Sequence, residues 1–231
     1  MQNIQAILFD LFGTLVDYTP QVEGKDFSNT YSLLIKALDS DFPYTDFIEN
    51  ISSIFKKLNM DTHHTETEFS MDEVFMELLS TYGVTNIEPE KLDQIVSQYC
   101  QEWKKYVSWN SDLQNLLLDL KQKYKIGVIT NTHNSKMVFN LLEEIGILNL
   151  FDVVTTSVDF GKRKPNKNIF LETCSKINVL PTNCVFVGDS FEMDVQGSQS
   201  IGMLPIHISN EQNNSYHSIS SILELRTIGL I

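Results

Sequence analysis

The sequence predicts an α/β fold in which a mostly parallel β-sheet carries helices on both faces. Short apolar runs that end in polar or glycine residues alternate with longer segments whose apolar residues recur at helical spacing. This alternation is typical of strands joined by crossover helices in a doubly wound sheet. A long stretch without comparable strand patterns follows the first run and exceeds what one crossover helix needs. We therefore expect a Rossmann-like core with an inserted helical subdomain.

The core strands are predicted from five apolar runs. The first, residues 4–9, is closed by Asp10 and followed by Gly13, as in a buried strand that enters a turn. The others are residues 126–130, 184–188 and 204–208, with a weaker run at 152–156. Helical patterns between the runs cover residues 113–123, 136–145, 169–177 and roughly 194–201.

The insertion is predicted to be a four-helix cap over residues 17–107, so that residues 1–16 and 108–231 form the core. Its helical patterns cover residues 27–38, 45–58, 71–82 and 91–106. Two polar segments are interpreted as loops. One is residues 61–68, which includes His63 and His64, and the other is the Ser- and Asn-rich segment 209–221, which we expect to precede a final helix.

The composition indicates a globular protein that does not bind nucleic acid. The chain of 231 residues has 30 acidic and 17 basic side chains, and its formal charge of −13 opposes binding to a phosphate backbone. The three cysteines, Cys100, Cys174 and Cys184, lack CxxC spacing and indicate neither a disulfide framework nor a zinc site. Residues 4–9 are too short for a signal sequence or a membrane span. We expect a cytoplasmic protein, monomeric or homodimeric, without a membrane partner.

Polar residues follow the predicted strands at the edge where parallel α/β sheets bind ligands. A basic loop, residues 161–167, contributes Lys164 between the third and fourth strands. The residues at the strand ends are Asp10, Thr130, Asn131, Asp189 and, further on, Asp194. Acidic groups, a hydroxyl and a lysine are therefore predicted to meet at one edge of the sheet.

Four motifs stand in order at these positions and resemble those of the haloacid dehalogenase-like hydrolases. They are DLFGTL at residues 10–15, Thr130-Asn131, Lys164-Pro165 with Ile169-Phe170, and GDSFEMD at residues 188–194. The resemblance covers about residues 1–16 and 108–210, and the position of the insertion resembles the helical C1 cap of the family. It implies a Rossmann-like core and hydrolysis of a small-molecule substrate.

The resemblance also implies a role for each matched residue. Asp10 would be the nucleophile that forms a covalent intermediate. Mg²⁺ would be held by oxygen ligands, namely Asp10, the main-chain carbonyl of Phe12, Asp189 and Asp194. Thr130 and Lys164 would stabilise charge on the transferring group. Thr14 and Asn131 would belong to the substrate-binding loops.

Phe12 departs from the pattern of the family's phosphatases, which carry there a second Asp as general acid and base. A phenyl ring cannot transfer a proton, and such a group contributes roughly 10²- to 10⁴-fold to the rate. An acid from elsewhere, for example Asp17 or a cap residue, could serve instead. The family's dehalogenases carry an aromatic residue at this position, so dehalogenation of a small 2-haloacid is a second candidate.

Two features weigh against dehalogenation. The dehalogenases use an arginine from the cap and replace the acidic fourth motif, whereas Arg163 and Arg226 are the arginines of this chain and both lie outside the predicted cap. Asp189 and Asp194 are retained. The leading prediction is a Mg²⁺-dependent phosphatase that acts on a small phosphorylated metabolite. A third candidate is a catalytically weak member that binds a metabolite or a protein.

Overall fold

The computed structural model describes residues 3–18, 24–39, 41–211 and 216–227. The chain divides into two compact units, one formed by Met1–Tyr18 with Ser108–Ile231 and the other by the inserted segment Thr19–Val107. Among the described residues, no helix combines the length and the hydropathy needed to cross a bilayer.

Strands and helices alternate in the larger unit, and the inserted unit is helical. Within the described ranges the strands are β1 (Ala6–Phe9), β2 (Asp17–Tyr18), β3 (Val107–Ser108), β4 (Lys125–Thr130), β5 (Val153–Thr156), β6 (Cys184–Gly188), β7 (Leu204–Ile208) and β8 (His217–Ile219). The α-helices are α1 (Ser28–Leu38), α2 (Tyr44–His63), α3 (Met71–Thr81), α4 (Pro89–Lys104), α5 (Leu113–Lys121), α6 (Ser135–Ile145), α7 (Ser157–Phe160), α8 (Lys167–Lys176) and α9 (Gly197–Gln199). A π-helical turn spans Phe191–Gln196, and 3₁₀ turns span Leu148–Leu150, Pro181–Asn183 and Ile222–Arg226.

Six strands form one parallel sheet in the order β5-β4-β1-β6-β7-β8. β1 occupies the interior of the sheet, as expected for a strand whose four residues are all apolar and fully buried. Helices flank the sheet, so the predicted doubly wound α/β fold with a helical insertion is confirmed. β2 and β3 form a separate two-stranded sheet.

The register of the sheet aligns the carboxyl ends of its inner strands. Phe9 of β1 pairs with Val128 of β4 and Val187 of β6, and Gly188 pairs with His207 of β7. The residues that follow β1, β4 and β6 therefore emerge at one edge, which is the usual ligand-binding edge of parallel sheets.

The interpretation of residues 61–68 as a loop was wrong for its first part. α2 continues to His63, and His64 is its C-terminal cap with helical dihedral angles. Thr62 donates its hydroxyl proton to the carbonyl of Leu58 one turn earlier. Polar side chains on an exposed helical surface weaken the apolar periodicity without interrupting the backbone, so the pattern ended before the helix did.

The interpretation of residues 209–221 as a loop was also wrong in part. β8 lies within this segment and pairs in parallel with β7 at the edge of the sheet. Ile219 is the buried apolar residue of β8. A single apolar residue does not form the alternating pattern from which a strand is predicted. The predicted final helix is a 3₁₀ turn at Ile222–Arg226, and residues 228–231 lie outside the described ranges.

The inserted unit contains a buried carboxylate, Glu102 of α4, that caps α1. The main-chain N–H groups of Asn29 and Thr30 each donate to it at 3.0 Å, the Asn29 amide donates at 2.8 Å, and the Thr30 hydroxyl donates at 2.6 Å. Phe27 at the N-cap of α1 offers no side-chain acceptor, so Glu102 satisfies N–H groups that the helix leaves open. Burial raises the pKa of Glu102, but these hydrogen bonds outweigh it and hold that pKa below its ordinary value.

Replacing Glu102 with Gln should loosen α1. A neutral amide can accept fewer of these hydrogen bonds, and those to a charged acceptor are each worth about 1.5 to 3 kcal/mol. We expect Glu102→Gln to lower the free energy of opening of α1 by about 2 to 4 kcal/mol, as measured by hydrogen exchange. The control is Glu49→Gln on the exposed surface of α2; an equal effect there would contradict this role of Glu102.

The same substitution carries a pH signature. Because the folded pKa of Glu102 is depressed, its stabilisation is complete above the unfolded pKa of about 4.3 and is lost as pH falls through the folded pKa. The melting temperatures of the native chain and of Glu102→Gln should therefore converge as the pH falls below the unfolded pKa and through the folded one. A constant difference between neutral and acid pH would contradict the assignment.

Candidate active site

A buried lysine connects two buried carboxylates at the ligand-binding edge of the sheet. The Nζ atom of Lys164 lies 2.6 Å from Oδ1 of Asp10, which follows β1, and 2.6 Å from Oδ1 of Asp194, in the π-helical turn after β6. The side chains of Lys164 and Asp194 are 2% exposed and that of Asp10 is 8% exposed, so water screens these ion pairs little. The Lys164 ammonium also lies 5.2 Å from the centre of the Phe186 ring on β6.

The ionisation of these groups follows from their burial and their mutual attraction. Burial alone would lower the pKa of Lys164, but the charges and hydrogen bonds of Asp10 and Asp194 outweigh it and raise that pKa, so the side chain is an ammonium. Burial raises the pKa of Asp10 to about 7, against the attraction of Lys164 and with further increases from Asp194 and Asp189. The single positive charge of Lys164 therefore does not balance the negative charges of the carboxylates around it.

Asn131, the residue after β4, fixes the backbone of Lys164. Its Oδ1 accepts the main-chain N–H of Lys164 at 2.8 Å, and its Nδ2 donates to the main-chain carbonyl of the same residue at 3.1 Å. A planar amide that binds both main-chain groups of one residue fixes where that side chain starts. Asn131 was predicted to belong to a substrate-binding loop. Its amide also positions the Lys164 backbone.

Asp194 is held by the turn in which it lies. Its Oδ2 accepts the main-chain N–H of Ser190 at 3.0 Å, and its own N–H donates to the Ser190 carbonyl at 2.9 Å. The helix predicted to start near residue 194 instead begins with the π-helical turn at Phe191–Gln196. Gly188 allows the close approach of Asp194, because a Cβ atom there would lie 2.4 Å from the Cβ of Asp194.

Asp189 completes the acidic group but differs from the other two carboxylates in being exposed. Gly13 leaves room for its side chain, because a Cβ atom at that position would lie 2.4 Å from Oδ2 of Asp189. Gly13 also has a φ of 90°, a backbone conformation that favours glycine. The turn after Asp10 and the turn after β6 therefore fit against each other only with a glycine at position 13.

These three carboxylates suit a divalent cation. One oxygen from each of Asp10, Asp189 and Asp194 lies within 4.8 Å of the others. Carboxylate oxygens are ligands that Mg²⁺ prefers. The surrounding protein displaces water from Asp10 and partly from Asp189, whose side chain stays accessible, and this raises both pKa values; the charge of Asp194 raises them further, and a bound cation would offset that charge. The residues present therefore fit the cation implied by the sequence motifs.

The other predicted residues lie in the same turns. Thr14 and Phe12 belong to the turn after Asp10, and Thr130 is the fully buried last residue of β4. The Thr14 hydroxyl is buried and has no hydrogen-bond partner among the described residues. Thr130 makes one long hydrogen bond, 3.5 Å from its Oγ1 to the carbonyl of Asn131. Both hydroxyl groups thus have hydrogen-bonding capacity left.

Two further residues contact this edge and were not predicted from the sequence. His207 near the end of β7 lies with its Nε2 2.8 Å from the main-chain carbonyl of Asp189. Tyr18 of β2 lies with its ring centre 5.4 Å from that of Phe12, and its pKa is raised by burial and by the charges of Asp189 and Asp10. In the sequence, His207 stands out only as a polar residue near the end of the apolar run 204–208.

The fold and this arrangement of acids and lysine define a haloacid dehalogenase-like hydrolase. The profile of the family described as haloacid dehalogenase-like hydrolase matches residues 38–208, a span that contains Lys164, Asp189 and Asp194. The chain belongs to this family, and the family resemblance seen in the sequence is confirmed.

Individual relatives include enzymes named for different reactions. The glyceraldehyde 3-phosphate phosphatase of Methanopyrus kandleri is 25% identical over 206 residues, 89% of this chain and 84% of the relative. The crystal structure of a phosphatase of this family from Thermococcus onnurineus has a TM-score of 0.65 and 26% identity, with 97% of each chain covered. That of a 2-haloacid dehalogenase from Pseudomonas syringae pv. Tomato has a TM-score of 0.73 and 21% identity, also with 97% of each chain covered, which shows a shared fold.

Replacing Gly13 with Ala should displace Asp189 and weaken cation binding. The added Cβ would meet the Asp189 carboxylate, so we expect the affinity for Mg²⁺ to fall about tenfold or more, measured by calorimetry. The matched control is Gly83→Ala, because Gly83 has a φ of 81° but nothing within 4 Å of an added Cβ. Both variants should lose about 1 to 2 kcal/mol of stability through backbone strain, and only Gly13→Ala should lose affinity; equal affinity in both would contradict this geometry.

Proposed function

We propose that this chain is a Mg²⁺-dependent phosphatase for a small phosphorylated compound, with Asp10 as the nucleophile. The observation that carries the proposal is the bridge from Lys164 to Asp10 and Asp194, both at 2.6 Å, beside the third carboxylate of Asp189. A site with this excess of negative charge suits a reaction in which a cation and an anionic group are bound together. The relatives named as phosphatases support the same reaction class.

The residues of the chain have distinct parts in the proposed reaction. An oxygen of Asp10 attacks phosphorus and the bond from phosphorus to the substrate oxygen breaks, so that the phosphoryl group stays on Asp10 and the substrate oxygen leaves with the bonding electrons and takes its proton from water. Water then attacks this acyl phosphate, which releases inorganic phosphate and restores the carboxylate. Lys164 holds one oxygen of Asp10 and offsets charge, and Thr14 and Thr130 donate their hydroxyl protons to phosphoryl oxygens.

The proposed cation ligands are Asp10, the main-chain carbonyl of Phe12, Asp189 and Asp194. When bound, Mg²⁺ reduces the repulsion between the Asp10 carboxylate and an anionic phosphate and polarises the transferring group. The helical insertion, residues 17–107, is proposed to act as the cap that selects the substrate, and residues 1–16 and 108–231 are proposed to form the core that carries the chemistry.

At position 12, the turn after Asp10 offers no group that could transfer a proton to the leaving alcohol. Phe12 packs beside the Tyr18 ring, and Asp17 of β2, the acid suggested by the sequence, is exposed. A substrate whose leaving group needs no proton should therefore react faster than an alkyl phosphate. A weak catalyst should turn over the substrate with the better leaving group faster than the alkyl phosphate. A protein that only binds its ligand should turn over neither.

Replacing Asp10 with Asn should abolish phosphate release. The amide is a poor nucleophile and loses the charge that pairs with Lys164, so we expect kcat to fall on the order of 10⁴-fold or more. The measurement is release of inorganic phosphate from aryl and alkyl phosphomonoesters with and without Mg²⁺. The exposed Asp41, changed to Asn, is the control. Equal turnover by Asp10→Asn and the native chain would overturn the proposal.

Replacing Phe12 with Asp should restore a general acid. We expect kcat for an alkyl phosphate to rise roughly 10²- to 10⁴-fold, with a smaller gain for an aryl phosphate whose leaving group needs no proton. Phe12→Asn is the matched control, since it has a similar size but cannot donate a proton in the same way. No gain, together with fast turnover by the native chain, would show that another residue supplies the acid.

Dehalogenation of a 2-haloacid is the second candidate, favoured by the aromatic residue at position 12. Its chemistry also begins with attack by a carboxylate, but it does not use the cation suited to Asp189 and Asp194. Halide release from short 2-haloacids that persists in the presence of a chelator would support it over phosphate hydrolysis.

A further inference from the structure

We infer that His207 is a positioning residue of the active site, which holds Asp189 in place through a hydrogen bond to its main-chain carbonyl. The inference rests on the proposed function, because it gives Asp189 the role of a cation ligand. It concerns a residue on β7, outside the four motifs at the ends of the other strands.

The hydrogen bond identifies Nε2 as the donor atom of the His207 ring. Its Nε2 lies 2.8 Å from the carbonyl oxygen of Asp189. A carbonyl can only accept, so Nε2 carries the proton and the imidazole is the donor. The bond therefore requires a proton on Nε2 of His207.

The position of Asp189 in the sheet explains why it needs such a contact. The ladder between β6 and β7 ends where Gly188 pairs with His207, so Asp189 is the first residue past the ladder. The nearby main-chain N–H of Ser209 donates to Ile219 at 2.8 Å, toward β8 rather than β6. The side chain of His207 thus supplies a donor to the Asp189 carbonyl just beyond the end of the ladder between β6 and β7.

Asp189 also lacks the support that the other two carboxylates receive. Lys164 bridges Asp10 and Asp194, and within the described part of the chain it makes no hydrogen bond to Asp189. Asp189 is exposed, whereas Asp10 and Asp194 are buried. An exposed ligand that Lys164 does not hold by a hydrogen bond depends more on its backbone for its position, and His207 fixes that backbone.

Two aromatic rings hold the imidazole in its orientation. The ring centre of Tyr216 lies 5.6 Å from that of His207, and the ring centre of Phe191 lies 6.3 Å away. Phe191 follows Asp189 by two residues, so the turn after β6 contacts His207 through a side chain as well as through a carbonyl. A substitution that keeps a ring but removes the donor can therefore separate packing from hydrogen bonding.

The test compares His207→Phe, which keeps an aromatic ring without a donor, with His207→Gln, whose amide places a donor at a similar distance. The control is His217→Phe on β8, where the native histidine is exposed. Two quantities are measured for each protein: the dissociation constant for Mg²⁺ by calorimetry, and hydrogen exchange of residues 189–194 in metal-free protein. Phosphate release is followed in parallel.

For His207→Phe we expect Mg²⁺ binding about tenfold weaker and faster exchange of residues 189–194, with an unchanged KM for substrate at saturating Mg²⁺. His207→Gln should recover most of the affinity, and His217→Phe should match the native chain. Native Mg²⁺ affinity and native exchange in His207→Phe would overturn this inference alone. Failure of the unaltered chain to bind Mg²⁺ would overturn the proposed cation site and this inference together.

Discussion

The candidate active site depends on one interaction, the placement of the Lys164 ammonium between Asp10 and Asp194. It connects three parts of the chain: the residue after β1, the loop before α8 and the turn after β6. Taking these charges out of water is costly unless each is paired and hydrogen-bonded. The structure meets that requirement through Asn131, which fixes the Lys164 backbone, and Ser190, whose N–H binds Asp194. The remaining imbalance, with a third carboxylate at Asp189, is what makes a divalent cation the natural complement of this site.

The sequence predicted the parts of this site that follow from strand ends. Asp10, Thr130 and Asp189 each follow or end a short apolar run, and parallel strands bring such residues to one edge. The contacts that orient the predicted residues were not predictable in this way. The two hydrogen bonds of Asn131 depend on where the 161–167 loop folds back, and the contact of His207 depends on the neighbouring position of β6 and β7 in the sheet.

The elements that the sequence did not predict share a physical reason. β8 is a short edge strand with one fully buried residue, Ile219, and the last part of α2 is a polar helical surface. β8 forms by pairing with β7, and the end of α2 continues the turns of a long helix, so apolar periodicity carries little information about either. Glu102 similarly caps α1 from a distant helix, whereas Ser70 and Glu73 form a local capping box that a sequence can display. Phe12 differs from these elements, because its departure from the family pattern can be read directly from the sequence. Its consequence for proton transfer follows from the chemistry of the phenyl ring.

We propose that Asp10 is a nucleophile whose carboxylate is held by Lys164 and whose reaction is limited by the absence of an acid at position 12. The most direct measurement is acid quenching during turnover of a phosphomonoester, followed by mass spectrometry of the peptide that contains Asp10. We expect a phosphoryl group on the Asp10 side chain that persists long enough to be detected, because its hydrolysis also lacks a base at position 12. Rapid phosphate release with Asp10 unmodified at every time point would contradict it.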